Sequence, residues 1–164
     1  MKQTVLLAIT LLCALSCCPS KGNDVKSLIQ ERVRKSLPQP SGYLAMETVV
    51  DSAFAPFDDP VFFEKTLEIC KKFVSESNDS LVEEINKIGQ EMMPLIGTEY
   101  RFIGFKVTHR FCTVDDDCLI RNRVFIMDES KTKILAEYNA DSLDFIMVQA
   151  MYKMWEIEAL KIQQ

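Results

Sequence analysis

Residues 105–111 read FKVTHRF, and this stretch decides the fold. Apolar and aromatic side chains alternate with Lys106, Thr108 and Arg110, a period of two that is typical of a half-buried β-strand. His109, the only histidine of the chain, belongs to the apolar row. The pattern therefore predicts a strand with one face on a core, and it places His109 on that face.

Two further strands are predicted immediately after this one. The acidic stretch 113–117 indicates a turn, residues 118–127 end in the continuous apolar run VFIM, and residues 133–138 follow a second polar turn. Short strands joined by such turns favour an antiparallel meander.

Helical patterns surround the meander. Apolar residues recur at helical spacing over about 24–37, over 60–92 and over about 141–162, while residues 43–54 are typical of an edge strand. The 60–92 segment is predicted to form two helices, or one long helix with a weak point near Asn78. Together these elements predict an α+β fold, in which an antiparallel meander sheet of three to four strands is covered on one face by helices.

The last helix carries two apolar stripes. The broader stripe is expected to face the core and contains Leu143, Ile146, Met147, Ala150, Met151 and Met154. Aromatic side chains on its flank, Phe145, Tyr152 and Trp155, are the better candidates for contact with a partner.

The N-terminus has the order of an export signal. Lys2 precedes an apolar stretch from Val5 to Ala14, which is too short to span a bilayer. Ser16 before Cys17 resembles the lipobox of bacterial lipoproteins, so we expect a signal peptide at 1–16, a lipidated tether at 17–24 with lipid on Cys17, and a single α+β domain at 25–164. An ordinary signal peptide cut near Ser16 or Ser20 is the alternative.

Export permits disulfide bonds. Cys112 and Cys118 flank the predicted hairpin turn, where two thiols come within bridging reach, so a disulfide is predicted between them; two free thiols are the alternative. Cys70 lies on a helical apolar stripe and is interpreted as a small buried hydrophobe. Whether Cys18 and Cys70 pair stays open.

Composition excludes several classes of function. The chain has 164 residues, a net charge of −5 and an isoelectric point near 5.0, which argues against a nucleic-acid partner. Phosphate-binding and nucleophile-elbow motifs are missing, and residues 115–117 indicate a solvated turn rather than a calcium loop. No cofactor, no metal site and no catalytic residue are therefore predicted.

Three stretches resemble small lipoproteins of Bacteroides-type bacteria. They are the signal ending in LSCC at 15–18, the KSLPQPSGY segment at 35–43 with DSAF at 51–54, and the FKVTHRF strand with VFIMD at 124–128. The resemblance implies export and a lipid anchor in the cell envelope, at the outer membrane, with the anchor on Cys17. Relatives tend to carry an Asn/Gly-rich hairpin turn, and the acidic turn between two cysteines departs from that pattern.

Three functional hypotheses follow. The first is a non-enzymatic, lipid-anchored envelope module that binds a protein or a glycan. The second is a carrier of small apolar ligands, or a hydrolase-like enzyme, with a pocket between sheet and helices near His109. The third is a soluble secreted effector.

Overall fold

The computed structural model describes residues 24–75, 83, 86–90, 100–114 and 117–162, and it confirms the α+β class. A 3₁₀ turn at Pro40–Gly42 precedes the first strand. The helices are α1 (Val25–Ser36), α2 (Pro60–Ser75) and α3 (Leu143–Ile162), and the strands are β1 (Tyr43–Ala55), β2 (Arg101–Thr113), β3 (Arg121–Met127) and β4 (Ile134–Asn139). The predicted signal peptide, Cys17 and the tether up to Asn23 lie outside the described residues.

The four strands form one antiparallel sheet in the order β1-β2-β3-β4. His109 in β2 lies opposite Thr48 in β1 and Arg123 in β3, which fixes the register at the middle of the sheet. Successive side chains of a strand point to opposite faces. We call the face with Val107, His109, Phe111, Phe125 and Met127 the α1 face, and the face with Lys106, Val124, Ile126 and Tyr138 the α2–α3 face.

Helix α1 closes the α1 face. The Asp24 side chain accepts a hydrogen bond from the Lys26 N–H at 3.2 Å, which caps the helix. Ile29 and Val33 are fully buried and belong to one cluster with Phe111 of the sheet. These contacts explain why the apolar row of β2 is buried at its centre.

Helices α2 and α3 close the opposite face. Asp59 accepts from the Val61 N–H at 2.9 Å, and Ser142 Oγ accepts from the Phe145 N–H at 3.2 Å, so each helix begins with a side-chain cap. Phe63 of α2 packs its ring against Tyr138 of β4, with 4.1 Å between the ring centres. Helices therefore cover both faces of the sheet, which corrects the expectation of a single covered face.

The buried side of α3 also differs in part from the prediction, although Met151 of the predicted stripe is buried in the core. Leu143, Ile146 and Met154 are more than half exposed, whereas Tyr152 and Trp155 are buried. The aromatic stripe is preferred because it meets the rings of α2: Tyr152 stacks on Phe62 with 5.5 Å between ring centres. The aromatic residues proposed as an interface are thus core residues.

Two local features hold the strand ends. Gly104 has φ +138°, and a Cβ at this position would overlap the carbonyl oxygen of Met127, so only glycine fits here. In the β3–β4 turn, Asp128 accepts hydrogen bonds from the N–H groups of Thr132 and Lys133, each at 2.8 Å. The Ser130 hydroxyl, followed by these backbone donors, lowers the pKa of Asp128 to about 2.

Candidate functional site

His109 is a structural hydrogen-bonding residue of the core. Its side chain is 0% exposed, and its ring lies nearly parallel to that of Phe111. Tyr43 Oη lies 2.7 Å from Nε2 and Thr48 Oγ1 lies 2.9 Å from Nδ1, so both ring nitrogens are occupied. Burial is the largest cause that lowers the pKa of His109. A neutral ring with both nitrogens engaged has no free atom to offer a substrate.

A small cleft with only about 10 Å³ of space, roughly the room of one water molecule, lies on the other side of the sheet, on the α2–α3 face. The Lys106 ammonium and the Asp58 carboxylate form an ion pair of 3.0 Å within its lining. Burial raises the pKa of Tyr138 to about 12, so its hydroxyl keeps its proton at neutral pH. The remaining lining is mostly apolar: Phe57, Phe63, Val124, Ile126, Phe145 and Gln149. This space is far smaller than the pockets of about 300–1,000 Å³ that hold drug-sized ligands, and His109 is not part of its lining.

The described cysteines are free thiols. Cys112 is buried and Cys118 is exposed; burial, and then the hydrogen bond and charge of Cys118, raise the pKa of Cys112. The two side chains therefore lie next to each other across the β2–β3 turn, and a disulfide between them stays a prediction. Residues 115 and 116 of that turn lie outside the described residues.

Within the described residues, no group of three or more His, Cys, Asp or Glu side chains is placed to hold a metal ion. Over the same part of the chain, no helix has the length and apolar character needed to cross a bilayer. Cys70 is buried in the cluster between α2 and α3, and burial is the first cause that raises the pKa of its thiol. A protonated, enclosed thiol is a poor nucleophile.

The most unusual surface is the strand β1. It lies at one end of the sheet order and pairs with β2 alone among the described strands. Of its side chains, five large apolar ones are between 38% and 52% exposed: Leu44, Met46, Val49, Val50 and Phe54. An exposed apolar edge strand presents unpaired backbone groups and is a template for pairing with another chain.

A bulge interrupts the outer edge of β1 near its start and hydrogen bonds occupy it at its end, whereas the middle of the strand is available for pairing. Met46 is an extra residue on β1, because Ala45 and Glu47 face the consecutive residues Phe111 and Arg110. At the other end, the Phe54 N–H donates to Asp58 at 3.0 Å, and the Phe54 carbonyl accepts from the Asp58 N–H at 2.9 Å. The stretch between these positions, Glu47–Ala53, is therefore the open edge.

Sequence reasoning identified β1 as an edge strand but did not treat it as a site. The signal was present in the composition of the strand. Tyr43–Ala55 contains no Lys and no Pro, two residues with which proteins commonly blunt an edge.

Comparison with known proteins identifies no relative: no protein family, no curated protein and no solved structure matches the chain.

Proposed function

We propose that the protein is a non-enzymatic binding module of the bacterial cell envelope. In this proposal it is exported and held at the outer membrane by lipid on Cys17, and the β1 edge binds a protein partner. The open edge Glu47–Ala53, on which Val49 and Val50 are 41% and 40% exposed, is the observation that carries the binding function. An edge of unpaired backbone groups suits a polypeptide better than a glycan, because main-chain hydrogen bonds supply much of the affinity in strand pairing.

The surroundings of the candidate catalytic groups support a binding module over an enzyme. The ring nitrogens of His109 are both occupied, and Cys70 is enclosed and protonated. Neither group has the accessible nucleophile or base that acid–base or covalent catalysis requires.

The anchor is tested by mass spectrometry of the processed protein from its membrane fraction. The expected result is an N-terminal peptide that begins at Cys17 and carries acyl chains. A free N-terminus after Ser16 or Ser20 contradicts the anchor and supports the soluble secreted effector instead.

The binding function is tested with a photo-crosslinking amino acid placed at Val49 in the native host. The matched control places it at Val61, which is 65% exposed on α2 and is not part of β1. The proposal expects an adduct with a defined polypeptide from Val49 and none from Val61. No adduct, or equal adducts from the two positions, contradicts a binding role for β1.

A further inference from the structure

The hydrogen bonds of Phe54 at the end of β1 show which backbone groups of the strand point outward, away from β2. Phe54 directs its N–H and C=O to Asp58, away from the ladder with β2. In an antiparallel strand, alternate residues direct both backbone groups to the same side. Ser52, Val50 and Thr48 therefore direct their N–H and C=O groups outward, and these six groups form a short edge that no described strand pairs with.

The charges along this edge are all negative. Glu47 and Asp51 are the only charged residues of β1. They face Arg110 and Lys106 of β2, so both lie on the α2–α3 face of the sheet, with the 41% exposed Val49 between them. At the rise of a strand they are about 13 Å apart.

Neighbouring cations only partly neutralise the two carboxylates. One oxygen of Glu47 contacts Arg110 at 3.2 Å. Lys106, which lies opposite Asp51, instead forms its ion pair with Asp58. Asp51 thus has no ion partner in the described part of the chain, and its carboxylate is available to a cation from outside.

Charge complementarity decides between two occupants of the edge. A second copy of the chain would bring two Glu47 and two Asp51 carboxylates into one short pairing, and like charges across strands are destabilising. A foreign strand with Lys or Arg four residues apart and an apolar residue between them places a cation at each carboxylate and an apolar side chain at Val49.

We propose that the open edge Glu47–Ala53 binds an extended, basic segment of a partner protein by strand addition. The segment pairs with the backbone of Thr48, Val50 and Ser52, and its cations contact Glu47 and Asp51. This inference rests on the proposed function of β1 as a protein-binding edge, and it adds the mode of binding and the chemistry of the partner.

The test uses a fluorescein-labelled peptide, Thr-Lys-Val-Val-Val-Lys-Thr, whose symmetric sequence suits either strand direction. A matched peptide replaces both lysines with glutamates. Binding to the processed full chain is measured by fluorescence anisotropy at low ionic strength, where exposed charges are least screened. The lysine peptide is expected to bind about tenfold tighter than the glutamate peptide, because one to two exposed ion pairs contribute a free energy of that size.

Substitutions at two positions, Val50 and Asp51, test backbone pairing and charge separately. Val50→Pro removes an outward N–H while leaving the β2 ladder intact, and it is expected to weaken binding about tenfold; Val50→Thr keeps the N–H and should retain binding. Asp51→Lys should remove the preference for the lysine peptide, because each peptide then meets one opposite and one like charge. This comparison tests the charge contacts even where Val50→Pro does not fold, which thermal unfolding reports.

Three outcomes overturn the inference. The first is equal binding of the two peptides, and the second is unchanged binding to the folded Val50→Pro variant. The third is a concentration-dependent dimer in sedimentation velocity that Val50→Pro dissociates, because a second copy of the chain would then be the occupant of the edge. The Val49 crosslinking experiment distinguishes a failure of this inference from a failure of the proposed binding function. An adduct at Val49 without peptide binding contradicts only the basic strand as the partner. The absence of both contradicts the binding function of β1 as well.

Discussion

Tyr43 Oη lies 2.7 Å from Nε2 of His109, and this buried hydrogen bond ties the first residue of β1 to the middle of β2. Thr48 Oγ1 holds the other ring nitrogen at 2.9 Å. The imidazole thus joins two positions of the same edge strand, one on each side of the Met46 bulge. His109 supports the candidate binding edge from beneath and takes no part in it directly.

Replacement of His109 should therefore lower stability. His109→Ala leaves the Tyr43 and Thr48 hydroxyls without their partner and opens a cavity, so a loss of about 2–4 kcal/mol in the free energy of unfolding is expected. Tyr43→Phe removes one hydroxyl and should cost about 1–2 kcal/mol. Urea unfolding followed by circular dichroism measures both. A His109→Ala protein as stable as the parent would contradict the packing described for this residue.

The same residue predicts a dependence of stability on pH. Burial, the largest cause, lowers the pKa of His109 below its ordinary value of 6.5, so the unfolded chain takes up a proton more readily than the folded one. The stabilisation is complete above pH 6.5 and is lost as the pH falls from 6.5 towards the lowered pKa of the folded state. The urea midpoint measured between pH 8 and pH 5 should fall with this profile. His109→Gln is the control and should flatten the dependence in that window, because the chain has no second histidine; an unchanged slope contradicts the assignment.

Two glycines should respond oppositely to alanine. Gly104→Ala places a methyl group on the Met127 carbonyl at φ +138°, and a loss of more than about 2 kcal/mol is expected. Gly89 lies in a helical segment, and a Cβ there would meet Trp155 Nε1 at 3.4 Å, an ordinary contact. Gly89→Ala should leave stability unchanged or raise it by up to about 1 kcal/mol. Thermal unfolding of both variants decides this pair of expectations, and equal effects would argue against the backbone geometry at Gly104.

Asp128 should titrate far below an ordinary carboxyl group. Its pKa of about 2 reflects the Ser130 hydroxyl first and then the backbone donors of the turn. Because the pKa in the folded state is lowered from 3.8, the contribution of Asp128 is present above pH 3.8 and is lost as the pH falls towards 2. A carboxyl titration followed by NMR gives the value directly, and Asp128→Asn should speed amide exchange at Thr132 and Lys133. A normal pKa would mean that the turn is open in solution.

The neighbouring thiols of Cys112 and Cys118 should form a disulfide under oxidising conditions. Oxidised glutathione is expected to join Cys112 and Cys118 with loss of both thiol hydrogens, seen in a tryptic map as a single peptide, 111–121, that carries an internal disulfide. Closing this short loop should stabilise the oxidised protein by about 2 kcal/mol relative to Cys118→Ser. Cys70, which is 4% exposed, is the internal control and should react only after unfolding. Mixed glutathione adducts on both residues, with no cross-link, would contradict the pairing.

The parts of the structure that a sequence can predict are those with one clear period. The alternation in FKVTHRF and the single stripe of α1 identify the buried sides of β2 and α1, because each element has one apolar face. Helix α3 is apolar on several sides, so periodicity does not select between its stripes. Contacts with Phe62 and Phe63 of α2 select the aromatic one, and those contacts join residues far apart in the chain.

The same limit applies to the candidate site. The position of His109 on the apolar side of β2 is readable from its neighbours, but its partners Tyr43 and Thr48 are 66 and 61 residues away in sequence. The exposure of β1 depends on where helices α1, α2 and α3 pack, and they leave the edge strand uncovered. Local patterns carry no information about that choice.

The meander has a consequence for the order of assembly. The β2–β3 and β3–β4 pairings close short turns, whereas the β1–β2 pairing must close a loop that spans residues 56–100. The entropy cost of closing a loop rises with its length, so local hairpins form earlier than pairings between distant strands. The three C-terminal strands are therefore expected to form the folding nucleus, and β1 to dock last, so the candidate binding edge forms only when the rest of the sheet is already in place.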